Sequence, residues 1–158
     1  MPSRRVAVIG ARASGLVAAR ELRRVGHVPV VFEQAACMGG TWLYDDDPDP
    51  ADPLGAGGTH SSVYASLRIN LSRECMGFLD FPFVAAEGAK GDPRRFPGHR
   101  EVLRYLQDFA RRFDLHALVR PGMEVVSVRR SVGAAGWRVS YCSRKLAGVG
   151  REIVECWD

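Results

Sequence analysis

No apolar run in the 158 residues is long enough to cross a bilayer, which excludes a transmembrane helix. Cysteine is sparse. Cys37, Cys75, Cys142 and Cys156 form no CxxC pair and have no zinc-site spacing with the four histidines. Reduced thiols, a cytoplasmic location and no bound metal are therefore expected. The basic start, Met1-Pro2-Ser3-Arg4-Arg5, leads into an apolar run that Gly10 cuts short, so it reads as a buried strand and not as a signal peptide. Net charge is +4, but the basic residues are dispersed: Arg20, Arg23 and Arg24 in one stretch, Arg111 and Arg112 in another. Solvated helix faces account for them, and no nucleic-acid partner is expected. The acidic stretch Asp45 to Pro53 lacks the ligand spacing of an EF-hand and reads as a solvated, proline-bounded loop, extended by the glycine-rich Leu54 to Thr59.

What is present is an ordinary globular composition, with 46% hydrophobic and 25% charged residues in a chain of one-domain length. The most informative stretch is Arg4 to Trp42. An apolar strand, Val6 to Ile9, ends at Gly10, and Ala11-Arg12-Ala13-Ser14-Gly15 follows. Leu16 to Val25 carries Leu16, Ala19 and Leu22 at helical spacing and stops at Gly26. A second strand, Val28 to Phe32, ends at Glu33, eighteen residues past Gly15. Strand, glycine turn, helix, strand, acid is the order of a dinucleotide-binding βαβ unit. Gly10 allows the tight turn, and Gly15 lets the helix approach the sheet. The free N–H groups at the helix start face a pyrophosphate, and Glu33 accepts hydrogen bonds from ribose hydroxyls. Arg12 departs from the motif, which takes glycine where the pyrophosphate meets the backbone. The arginine attracts phosphate while its stem takes up the space that glycine leaves open. Pro29 is awkward within a strand and is expected at its start.

Gln34 to Tyr44 contains Gly39-Gly40-Thr41-Trp42, two glycines for close backbone approach and a flat apolar wall. His60 to Val84 is apolar and irregular, with Tyr64, Asn70, Arg73, Phe78, Phe81 and Phe83. It either wraps a cofactor or substrate channel, or packs beneath the acidic loop. Arg100 to Leu115 is a second helix, with Leu103, Leu106, Phe109 or Ala110, and Phe113 as its apolar stripe. Glu124 to Arg129 and Trp137 to Tyr141 alternate and form a hairpin through Gly133 to Gly136. Ser143 to Asp158 shows little pattern.

Gly10 to Gly15, Glu33, Gly39 to Trp42, Tyr64 to Leu71, Met76 to Phe83 and Phe96-Pro97-Gly98-His99 together resemble the N-terminal part of a flavin-containing monooxygenase, nearest in wording to the plant S-oxygenating, glucosinolate S-oxygenase-like branch. The resemblance runs to about Arg144 and covers the first third or so of such an enzyme. It implies an α/β fold: a Rossmann-like FAD-binding domain over residues 1–144, incomplete, with 145–158 as a divergent tail and the NADPH-binding domain absent. It implies FAD and NADPH as cofactors, and oxygen transfer to a soft sulfur or nitrogen centre of a small molecule. By resemblance Gly10, Ala11, Arg12, Ala13, Ser14 and Gly15 hold the FAD pyrophosphate. Glu33 and Gln34 lie at the adenosine ribose, and Gly40, Thr41 and Trp42 beside the flavin part. Asn70 is the catalytic asparagine near the flavin's reactive edge, and Val126 approaches the adenine. Ile69 stands where the family often has threonine.

Three functions compete: an FAD- and NADPH-dependent monooxygenase, here as a truncated form; an FAD-binding module without turnover; and an inactive partner of a full-length relative. Arg12→Gly is expected to raise FAD affinity. Glu33→Ala is expected to weaken it with the fold intact.

Overall fold

The computed structural model describes residues 2–44, 63–85, 91–131, 135–143 and 152–158. The acidic and glycine-rich stretches at 45–59 and residues 132–134 of the hairpin turn lie outside the described residues. The chain divides into two compact units, residues 1–40 with 110–158, and residues 41–109.

The first unit opens with β1 (Arg5–Ile9), α1 (Ala13–Arg24) and β2 (Val28–Glu33). β1 and β2 pair in parallel, Arg5 opposite Val28 through Ile9 opposite Phe32, as the βαβ reading requires. Gly10 makes the turn at φ +92°, a region that side chains rarely adopt. A Cβ at Gly15 would sit inside the van der Waals envelope of the Gly10 carbonyl oxygen. That close approach lets Leu16 and Ala19 bury completely. Pro29 is the second residue of β2 and costs no ladder bond. The Val28 N–H donates to the Arg4 carbonyl on the β1 side, so the Pro29 nitrogen points the other way, where β3 (Val119–Pro121) pairs only from Val31 onward. β3 escapes a reading from sequence because it is three residues long and ends in proline.

β4 (Met123–Arg130), β5 (Trp137–Ser143) and β6 (Ile153–Trp157) form an antiparallel sheet in that order. The expected hairpin is present, with two differences. The β4–β5 register shifts between Val125 and Ser127, so Val126 is an extra, bulged residue. Val126 and Val128 are exposed, while Met123 and Val125 pack on the core. The second difference is a correction: residues 153–157, read as part of a tail, are a full strand, and Trp157 is buried. Trp157 and Tyr141 close on Phe32 of β2, with ring centroids 5.6 and 4.9 Å away.

One carboxylate ties the two sheets together. Glu155 on β6 accepts from Arg5 on β1 at 2.7 Å, from Arg120 on β3 at 2.8 Å and from the Tyr141 hydroxyl at 2.6 Å. Burial raises the Glu155 pKa, but the hydrogen bonds from Tyr141, Arg120 and Arg5 outweigh it and hold the group below its ordinary 4.5. Burial, then the neighbouring Glu155 carboxylate, pushes the Tyr141 phenol up. A carboxyl with a lowered native pKa stabilises the fold above its unfolded value and loses that contribution as pH falls through the native one. Glu155→Gln should therefore cost about 1–2 kcal/mol at neutral pH, a partly screened charge-assisted network. The difference from wild type should shrink as pH drops below 4.5. Urea titrations at a series of pH values check this, and a pH-independent difference would count against it.

In the second unit the irregular stretch packs on α3 (His99–Arg112), whose residues up to Phe109 belong to that unit. The Tyr105 hydroxyl accepts from the Phe78 N–H at 2.8 Å and donates to the Phe81 carbonyl at 2.6 Å. Phe78 and Phe81 also meet the ring of Phe109. The buried stripe of α3 is Val102, Tyr105, Leu106, Phe109 and Ala110. It is rotated slightly from the expected one, in which Leu103 and Phe113 are only half-buried. The short α2 (Arg73–Met76) begins with Arg73, which is 4% exposed. Its guanidinium donates to the carbonyls of Arg94 at 3.0 Å, Val84 at 3.4 Å and Asp92, and to Glu101 at 3.3 Å.

Candidate nucleotide site

A cavity of about 410 Å³ opens at the C-terminal ends of β1 and β2, a size in the ordinary range for a small-ligand site. Gly10, Arg12, Ser14 and Gly15 line it from the turn and the start of α1. Glu33 and Gln34 line it from the end of β2, and Ile9, Phe32, Met123 and Val125 complete its apolar part.

The start of α1 is open to an anion. Arg12 is the N-cap residue, its side chain makes no capping bond, and the first turn holds no acidic residue. The first intrahelical bond runs from the Leu16 N–H to the Arg12 carbonyl. The N–H groups of Ala13, Ser14 and Gly15 therefore have no acceptor within the helix, and they carry the positive end of its dipole.

Glu33 is 3% exposed and both carboxylate oxygens are engaged. One accepts from the Ala11 N–H at 2.8 Å and the other from the Ala35 N–H at 2.8 Å. A carboxylate has about four lone-pair sites, so two remain for hydroxyl donors in the cavity. Glu33 thus fixes the glycine turn as well as facing the cavity.

The Arg12 side chain lies across Gly40. A Cβ at Gly40, whose φ is +58°, would overlap the Arg12 Cγ, Cδ and Nε. Gly39 reinforces this arrangement through its N–H bond to the Ala11 carbonyl at 3.1 Å. Gly40 therefore serves as the bed of the arginine stem.

The other expected site residues fall as follows. Ala11 is fully buried behind the turn, and Ala13 starts α1 without lining the cavity. Thr41 and Trp42 end a 3₁₀ turn (Gly40–Trp42) and, with the exposed Asn70, belong to the second unit. Val126 is 51% exposed at the bulge and does not line the cavity, whereas Met123 and Val125 do. The alternation of Val126 and Val128 obscured this, because the bulge reverses the phase of β4. Among the described residues there is no group of His, Cys, Asp and Glu that could hold a metal ion. No helix there is long and apolar enough to cross a membrane.

A flavin-binding monooxygenase-like family model matches residues 3–140. The protein named "Putative flavin-containing monooxygenase FMO GS-OX-like 11" of Arabidopsis thaliana is 55% identical over 151 residues, covering 90% of this chain and 89% of that protein. FMO GS-OX-like 3 of the same plant is 54% identical over 149 residues, covering 90% of this chain but 33% of that one. The chain thus spans nearly all of one relative and about a third of the other. The structure of S-allyl-L-cysteine S-oxygenase from Allium sativum superposes with a TM-score of 0.85 at 48% identity, over 99% of this chain and 35% of that one. With a parallel βαβ core, an acid at the end of β2 and these matches, the chain belongs to the flavin-binding monooxygenase-like family.

Proposed function

We propose that this chain forms the N-terminal, FAD-binding part of a monooxygenase that oxygenates soft sulfur or nitrogen centres of small molecules with FAD, NADPH and O2. The observation that carries the reading is the convergence, in one cavity, of the Gly10 turn, the uncapped start of α1 and Glu33. These groups fit the adenosine diphosphate half of FAD. Gly10 and Gly15 hold the turn, the N–H groups of Ala13 to Gly15 face the phosphates, and Glu33 takes the ribose hydroxyls. Phe32, Met123 and Val125 offer an apolar wall to the adenine. FAD, when bound, supplies the redox and oxygen chemistry. Thr41, Trp42 and Asn70 are assigned to its flavin half by likeness to the family, with Asn70 as the polar group at the reacting edge.

The NADPH site belongs to a second glycine-turn unit outside these residues, because Gly10 to Gly15 is the one such motif here. Hydride transfer needs nicotinamide and flavin in near contact, so turnover requires that second site. It comes from further chain or from association with a full-length relative. Sulfur is favoured over nitrogen by the likeness to the Allium S-oxygenase. A cytoplasmic location fits free cysteines and a small-molecule substrate. A second reading, an FAD-binding module without turnover, is favoured by Arg12 at the motif's second glycine position.

Titration of the purified chain with FAD, followed by flavin fluorescence, tests the reading. Saturable binding that ADP displaces is expected. FAD that stays free at every protein concentration would remove the FAD assignment.

A further inference from the structure

Arg12 stands at the one position where the turn departs from a dinucleotide motif, and its side chain is neither buried nor spent. It lines the cavity at the open start of α1, and its stem rests on Gly40. Among the described residues its guanidinium has no carboxylate and no hydrogen-bond acceptor, whereas Arg5, Arg20, Arg24, Arg73, Arg94, Arg95, Arg104 and Arg120 are all paired. A free guanidinium beside an uncapped helix start is drawn to phosphate, and pairs best with a phosphate presenting two free oxygens in its fork geometry.

The diphosphate of a dinucleotide is esterified at both ends. It must cross the turn and continue, so it presses on the backbone at position 12, where the Arg12 Cβ stands. A nucleoside diphosphate differs in two respects. Its terminal phosphate is a monoester, with charge approaching −2 near neutral pH, and nothing continues beyond it. That phosphate can swing off the backbone toward the guanidinium.

We infer that Arg12 is a specificity-determining residue that turns the cavity toward nucleotides ending in a free phosphate, so that ADP binds at least as tightly as FAD. The inference rests on the nucleotide reading of the cavity given above. Gly40 takes part by leaving room for the arginine stem.

The test is equilibrium titration of the full chain with ADP and with FAD, at low and raised salt, for wild type, Arg12→Gln and Arg12→Gly. Arg12→Gln keeps the stem and removes the charge. It should weaken ADP by about tenfold or more, the scale of one charge-assisted contact, and should flatten the salt dependence. FAD affinity should change much less. Arg12→Gly removes stem and charge together, so it should weaken ADP and strengthen FAD, reversing the order. Wild type binding FAD more tightly than ADP overturns the inference. So does Arg12→Gln with unchanged ADP affinity. If no form binds either nucleotide, the reading of the cavity fails and the inference with it. Binding of both without a change of order leaves the cavity assignment standing and removes Arg12 alone.

Discussion

Replacing Glu33 by alanine is expected to destabilise the first unit by about 2–5 kcal/mol, besides weakening nucleotide binding. The sequence alone suggests a milder outcome, because an acid at a strand end looks like a ligand contact and nothing else. The structure adds a second task. Glu33 is the acceptor for the N–H of Ala11, which is fully buried, and for that of Ala35. Alanine leaves both donors without a partner; an unsatisfied N–H costs roughly 1–3 kcal/mol at the buried Ala11 and less at the half-buried Ala35. The loss also frees the turn that Gly10 begins, so the start of α1 is no longer held toward the cavity. Glu33→Gln keeps one acceptor oxygen but sets an NH₂ against a backbone N–H, so it should fall between alanine and wild type. The midpoint of urea unfolding, at constant m-value, measures the effect. An alanine variant within 0.5 kcal/mol of wild type, on the ~0.5 kcal/mol scale of neutral surface changes, would show that the two backbone bonds are dispensable.

The same residue shows why the βαβ unit was legible. Gly10, Gly15 and Glu33 are local signals with fixed spacing, and each maps onto one constraint: a positive φ, a close helix approach, a carboxylate at a strand end. The far wall of the cavity was less legible. Met123 and Val125 reach it because β4 carries a bulge at Val126, and an extra residue cannot be seen in an alternating pattern that continues past it. β6 is hidden in the sequence for a different reason. Ile153 to Trp157 interleaves exposed residues with Glu155 and Trp157, whose burial depends on partners far away in sequence, Arg5, Arg120 and Phe32. Neither strand periodicity nor propensity encodes such a contact. The irregular 63–85 stretch defeated periodicity altogether, since its order comes from side chain to backbone bonds.

Those bonds converge on Arg73, and its replacement by methionine is expected to cost about 3–5 kcal/mol, the scale of breaking a buried ion pair. Methionine fills much of the volume but donates nothing. The carbonyls of Arg94, Val84 and Asp92 would lose their donor, and Glu101 would keep Arg104 as its remaining cation. The ring of Phe83, 4.4 Å from the guanidinium carbon, would lose its cation as well. Asn70 should feel the change, because its stretch of backbone is held on both sides. The Ile69 N–H donates to the Pro97 carbonyl, and the Arg73 N–H to that of Arg95, each at 3.1 Å. With the Arg73 side chain gone, the 92–97 segment that accepts these bonds is no longer pinned. Arg73→Lys tests whether charge or fork geometry matters. A lysine keeps the charge but cannot span acceptors that lie in several directions, so it should recover only part of the loss. Thermal melts of the three forms measure stability, and hydrogen exchange at the amides of Ile69 and Arg73 reports the local hold. Lysine restoring full stability and protection would assign the role of Arg73 to its charge. Methionine leaving both unchanged would mean that the backbone bonds alone order the segment carrying Asn70.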